Sequence, residues 1–181
     1  MGKFQEAIEC FNKAIDINPE DSANFSFKGL SFHSMGKFQE AVDRYNKAIE
    51  LNPNDAVLYI NKGNSLYTMD KFAEAVICYD TSIQLNPKNA VIYKNKGVAL
   101  DKMGRYQEAL HAFDIAIELD PSFAQAYRNK GLSLLNTGRF QEAIYQFNRA
   151  IELNPNYATA INDREIALSY LDGNQSAAFN V

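Results

Sequence analysis

Proline sets the period of this chain: Pro19, Pro53, Pro87, Pro121 and Pro155 follow one another at intervals of 34 residues, four times over. Proline lacks an amide hydrogen and holds its φ, so a strict recurrence marks one backbone event repeated. The chain is therefore one structural unit written several times. Glycine keeps the same interval. Gly29, Gly63, Gly97 and Gly131 form one column, and Gly2, Gly36, Gly104 and Gly138 form a second that skips at Asp70, with Gly173 one place off it. Four complete units are read at 22–55, 56–89, 90–123 and 124–157, preceded by a half unit at 1–21 and followed by a partial repeat or capping helix at 158–181.

The spacing of apolar residues gives each unit two helices. In the third unit Tyr93, Gly97 and Leu100 share one face of a helix over 91–103, and Ala109, Leu110, Phe113, Ala116 and Ile117 make a stripe along another over 106–119. Gly104 between them supplies the left-handed residue that ends the first helix and reverses the chain. Asp120 precedes Pro121, and a residue in that position is pushed out of the helical region, which closes the second helix. Ser122 is expected to cap the helix that follows. Gly97 and Ala109 leave room for close approach of the pair, while Phe113 and Tyr93 fill the remaining volume. A hairpin this small cannot bury its apolar face alone, so units stack in one direction, giving an all-α solenoid with a concave and a convex face.

These features together, a helix-turn-helix period of 34 with an aromatic and then Gly in the first helix, Ala, Tyr or Phe and Ala in the second, and Pro at the close, resemble the tetratricopeptide repeat over essentially the whole chain. The resemblance implies an α-solenoid wound as a right-handed superhelix. The chain departs from the family pattern in having Phe25, Tyr59, Tyr93 and Tyr127 where Trp is favoured, Lys28, Lys62, Lys96 and Lys130 where Leu is favoured, and Ser82 in the column of Ala48, Ala116 and Ala150. Asp70 and Ser82 both fall in unit 56–89, and a non-glycine residue in a left-handed turn costs ~1 kcal/mol, so that unit is expected to be the weakest.

At the start of the chain, Phe4, Ala7, Ile8, Phe11, Ala14 and Ile15 reproduce a second helix with no first helix before it. At the other end, 158–171 reads as a first helix with Ile161 and Leu168 on its packing face, and Gln175, Ser176 and Ala177 fall in register with the start of a second helix. Two such halves are complementary, so a homo-oligomer paired through the terminal half repeats is one expectation. Glu165 stands in the glycine column and would crowd a following helix, so a terminal cap is the other.

A net charge of −4 argues against nucleic acid as a partner, since phosphate-driven affinity needs a basic surface. No run of residues is long and apolar enough for a membrane span, and with two cysteines too far apart to pair, the cytoplasm is the expected compartment. No catalytic cluster, metal site or cofactor is expected. His33 and His111 lie more than two units apart and read as surface residues, and the glycines form no phosphate-binding loop. Glu40, Glu74, Glu108 and Glu142 sit at helix starts, where carboxylates suit the dipole. Lys28, Lys62, Lys96, Lys130 and Arg164 flank the packing face, so aliphatic stems with heads in water are expected, a basic ladder for an acidic partner being the alternative.

The function is sought on the concave face. Asn61, Asn95 and Asn129 recur at 34 residues in the first helices, and an amide with donor and acceptor can bond a peptide backbone whatever its sequence; bonding to a neighbour or to water is the plainer reading. Around them the groove is expected to hold Phe27, Leu30 and His33, then Ile60, Asn64 and Tyr67, then Lys94, Val98 and Asp101, then Arg128 and Leu132. The carboxylate clamp of some tetratricopeptide co-chaperones matches Asn64 and Asn95 but fails at Ile60, Gln125 and Asn129, and in a second frame matches Lys94 and Asn129 but fails at Val98, Thr159 and Asp163. A non-catalytic scaffold that holds a protein or peptide ligand is the leading expectation. Self-assembly through the ends, or service as an accessory arm of an enzyme domain lying outside this chain, are the alternatives.

Overall fold

The computed structural model describes residues 2–178, with side chains placed for residues 3–173. The chain divides into two compact units after Lys88. The first holds α1 (Gly2–Ile17), α2 (Ser22–Ser34), α3 (Phe38–Leu51), α4 (Ala56–Thr68) and α5 (Phe72–Leu85). The second holds α6 (Ala90–Lys102), α7 (Tyr106–Leu119), α8 (Ala124–Asn136), α9 (Phe140–Leu153) and α10 (Ala158–Ala178). Among the described residues there is no strand, and inside each unit every helix packs on its sequence neighbours while α2 also touches α4, and α8 touches both α6 and α10. The architecture is an all-α solenoid of helix pairs.

Local chemistry sets the helix limits. The side chains of Asp21, Asp55 and Asn89 accept from the amides of Ala23, Val57 and Val91 at 2.9, 2.9 and 3.0 Å, capping α2, α4 and α6. The expected cap at Ser122 does not form. Phe123 occupies the capping place without a side-chain bond, and Ser122, one residue too early, turns its hydroxyl back to Asp120 at 2.6 Å. Asn52, Asn86, Asp120 and Asn154, each just before proline, leave the helical region with φ near −140°, which ends α3, α5, α7 and α9. Gly36, Gly104 and Gly138 turn the chain at φ of 76°, 72° and 74°, and Asp70 is forced into the same region at 57°.

Inside each pair a ring lies on a glycine. A Cβ placed on Gly29, Gly63, Gly97 or Gly131 would come within 2.8, 2.7, 2.6 or 2.5 Å of Tyr45, Tyr79, Phe113 or Phe147 respectively. These four rings are at most 1% exposed, and burying each contributes about 1.5–3 kcal/mol. Satellite clusters tie one pair to the next: Phe25 packs with Ala48 of α3 and Leu58 of α4, and Tyr127 with Ala150 of α9 and Ala160 of α10. Ser82, fully buried in the alanine column, donates to the Ala56 carbonyl at 2.8 Å and so leaves no orphaned hydroxyl.

Polar cross-links follow the same logic. Lys28 Nζ donates to Asn12 at 2.5 Å, Lys130 Nζ pairs with Asp114 at 2.5 Å, and Arg164 reaches Asn148 at 3.4 Å, each sixteen residues back on the preceding helix. The heads of these three residues thus reach the preceding helix. Glu108 and Glu142 are each gripped by Nε and Nη2 of Arg105 and Arg139 respectively at 2.7 Å, and those bonds hold the two carboxyls below the usual carboxylate range.

At the C-terminal end the structure bears on one of the two readings, the partial repeat. α10 runs unbroken from Ala158 to Ala178, so the turn that would start a partner helix near Gln175 is absent. Asp172 stands where the turn glycines stand elsewhere and, unlike Asp70, keeps no positive φ. The side chains of 174–178 and residues 179–181 lie outside the described residues. Ala160, Asp163 and Ala167 are the buried residues of α10 among those whose side chains are described, with Ile161 and Leu168 only half-buried.

Candidate functional site on the first helices

In the first unit the candidate residues lie on α2 and α4. Phe27 and Leu30 stand 53% and 47% exposed. The Phe27 ring stacks on Phe11 of α1 at 5.9 Å, and Phe27 and Leu30 line a hollow of about 350 Å³ with Phe4, Phe11 and Ser31. Ile60 and Asn61 are half-buried. Asn64 accepts from the Tyr79 hydroxyl at 2.9 Å, and the Tyr67 ring leans on Phe72 at 5.3 Å. Burial pushes the Tyr79 phenol well above its ordinary value, so it stays a donor to Asn64.

His33 is not the surface residue expected from sequence. It is half-buried, its ring meets Phe38 edge-on at 5.1 Å, and its Nδ1 lies 2.8 Å from Ser65 Oγ on α4. Ser65 Oγ also lies 3.0 Å from the Asn61 carbonyl, and the direction of the His33–Ser65 hydrogen bond follows the imidazole tautomer. Burial holds the imidazole below its ordinary pKa. His111 remains exposed.

In the second unit the candidates lie on α6 and α8. Arg128 is already engaged: its Nε donates to Asp163 of α10 at 2.7 Å, and its guanidinium sits 5.9 Å from the Tyr157 ring centre. Its expected role in selecting charge on a ligand is thereby largely used up within the chain. Asp101 accepts from the Ser133 hydroxyl, and Leu132 packs against the cluster of Leu110, Leu134, Ala143, Phe147 and Ala167. Asn95, Val98 and Asn129 are half-buried.

Lys94 differs from the other cations of this face. Its stem is half-buried on α6, burial lowers its pKa, and no carboxylate or hydrogen-bond partner meets its ammonium among the described residues. A partly desolvated charge without a partner is unfavourable by itself and attracts an anion.

The partners that sequence reading missed are Ser65, Ser133 and Asp163. Their signal was arithmetic: first helices of successive pairs meet at spacings just off the period, 32 for His33 to Ser65 and Asp101 to Ser133, and 35 for Arg128 to Asp163. No described helix is long and apolar enough to cross a membrane, and no group of three or more His, Cys, Asp or Glu able to hold a metal ion is found among the described residues.

Repeated helix pairs, each closed by a ring on a glycine and presenting a face of first helices, define a helical-repeat protein. The chain belongs to the tetratricopeptide repeat family: models described as Tetratricopeptide repeat match residues 94–158 and residues 1–21 and 56–89, and one described as TPR repeat matches 29–70. Among solved structures it is similar to MamA, at 26% identity and a TM-score of 0.81 over 87% of this chain and 92% of that one. It is also similar to YrrB, described as a TPR protein with an unusual peptide-binding site, at 27% identity and a TM-score of 0.74 over 91% and 85%. The first TPR domain of Spaghetti, solved with an HSP90 peptide, matches at 26% identity and a TM-score of 0.63 over 65% and 93%. No curated protein matches the chain in sequence. The family is generally a non-catalytic protein-interaction module, and the likeness to these neighbours supports the role of an interaction scaffold here.

Proposed function

We propose that the chain is a non-catalytic scaffold that holds an extended or helical segment of a partner protein on the face of its first helices. Lys94 carries this reading. An acidic side chain or a terminal carboxylate of the ligand would complete the unpaired ammonium, and Asn95 and Asn129 would offer amides to the ligand backbone. The first unit presents a face of its own, with Phe27, Leu30, Ile60 and Tyr67 as apolar contacts and Asn61 as an amide. The peptide-binding descriptions of YrrB and of the Spaghetti domain support the same use of the fold. Residues already bonded inside the chain, Arg128, Asn64 and Asp101, shape the surface and leave ligand charge to Lys94.

The test is a selection from a random peptide display library, followed by titration of the recovered peptides. Recovered sequences should carry Asp, Glu or a free C-terminus beside apolar residues, and Lys94→Gln should weaken them about tenfold, the scale expected for losing one charge-assisted contact. Peptides without an anionic group, bound equally by Lys94→Gln, would contradict the assignment.

A further inference from the structure

In the second unit α7 and α9 both pack on α8 and not on each other, and a hollow of about 300 Å³ opens between them. Leu110 and Leu134, 6% and 1% exposed, are the two apolar residues of its lining. The charges around it are already matched: Lys130 of α8 pairs with Asp114 of α7 at 2.5 Å, and Arg139 holds Glu142 at 2.7 Å. The Arg139 bonds, joined by the charge of Lys130, keep the Glu142 carboxyl low, so the two pairs act as one set of two cations and two carboxylates with no net charge. A charged ligand finds no counter-ion to spare here.

Gln146 of α9 is different. It lines the same hollow and is 9% exposed, and its amide meets no hydrogen-bond partner among the described residues. Ala112 of α7 and Cys78 of α5 hold the corresponding places and are buried, while Arg44 of α3 and Cys10 of α1 are not. Packing does not demand a carboxamide there, since Ala112 closes the same place without a polar atom. A donor and an acceptor left unmade at nine-tenths burial are unfavourable, and a group that supplies both completes what the fold leaves undone.

The complement that answers a carboxamide on both sides is another carboxamide, N–H to oxygen and oxygen to N–H, whereas a carboxylate brings only acceptors and an ammonium only donors. On a protein that group is the side chain of Asn or Gln. Sites for free small molecules are mostly apolar. This hollow is lined mainly by polar side chains, with the exposed Gln107 and His111 at its edge, which suits one polar side chain carried in on a segment of chain.

We propose that the hollow between α7 and α9 receives an Asn or Gln side chain from an exposed segment of a partner protein, its carboxamide paired with that of Gln146. The site is separate from the role given to Lys94, and either stands if the other fails.

The test is a subtractive selection. A random peptide display library is bound to the whole chain and depleted on two variants, Gln146→Ala, which copies Ala112, and Gln146→Leu, which keeps the volume. Recovered peptides should share an Asn or Gln, and titrating them into the isotope-labelled chain should shift the side-chain amide signals of Gln146 and the methyl signals of Leu110 and Leu134. Changing the shared Asn to Asp, or Gln to Glu, should weaken binding about tenfold, because the donor facing Gln146 is lost. Recovery of no Gln146-dependent peptide would leave the amide to water and overturn the proposal. Peptides with no shared Asn or Gln, or shifts centred on Lys94, would overturn it as well. So would full competition by propionamide at the peptide's own concentration, since a free amide would then be the occupant.

Discussion

The ring of Phe147 lies where any side chain on Gly131 would have to go, 2.5 Å from the position of its Cβ. Alanine in a helix interior gains about 1 kcal/mol over glycine in intrinsic propensity, while overpacking a tight core costs about 1–3 kcal/mol. Overpacking wins here, because the atoms in the way belong to a rigid, fully buried ring. Gly131→Ala is therefore expected to lower stability by about 1 kcal/mol net, measured by urea denaturation. A stabilised variant would mean that the ring moves freely.

The opposite sign is expected at the skipped turn. Asp70 sits at φ 57° where Gly36, Gly104 and Gly138 hold the other turns, so Asp70→Gly should raise stability by about 1 kcal/mol. Native-state exchange should show the gain locally, in α4 and α5. An unchanged or lower midpoint would show that the aspartate is compensated within the turn.

Arg128 and Asp163 form the least exposed ion pair described, with side chains 24% and 12% exposed. Removing one partner strands the other, so Arg128→Ala should cost about 3 kcal/mol, and the double variant Arg128→Ala with Asp163→Ala clearly less. A double-mutant cycle by chemical denaturation measures the difference. Strict additivity would mean that the pair contributes nothing as a pair.

The buried imidazole gives a pH dependence. The folded pKa of His33 lies below the unfolded value of 6.5 because burial disfavours the charged ring. The fold therefore favours the neutral form. Its stability is fully present above pH 6.5 and declines as pH falls from there through the lowered folded value. His33→Gln should flatten the curve of denaturation midpoint against pH in that window. An unchanged slope would assign the dependence to another group.

The repeat was legible from its punctuation. Each proline and each turn glycine acts on its own backbone, so their spacing gave the helix pairs directly, and the Gly97 column announced a close approach before the Phe113 ring was seen on it. What could not be read was pairing between successive first helices. His33 finds Ser65 and Arg128 finds Asp163 across neighbouring pairs, at offsets set by how the helices stack and not by either helix alone. The same limit hid the partners of Lys28 and Lys130, which lie sixteen positions back. The turn expected after 171 failed for a local reason: Asp172 replaces the glycine, and the helix continues.

The central claim, that the first helices carry the ligand, is tested most directly by mapping amide chemical shifts of the isotope-labelled chain while a display-selected peptide is added. The account predicts that the largest changes fall on α6 and α8, around Lys94, Asn95 and Asn129, and that replacing the two asparagines by alanine weakens binding while helicity is kept. Changes confined to α7 and α9, or affinity unaltered in that double variant, would contradict it.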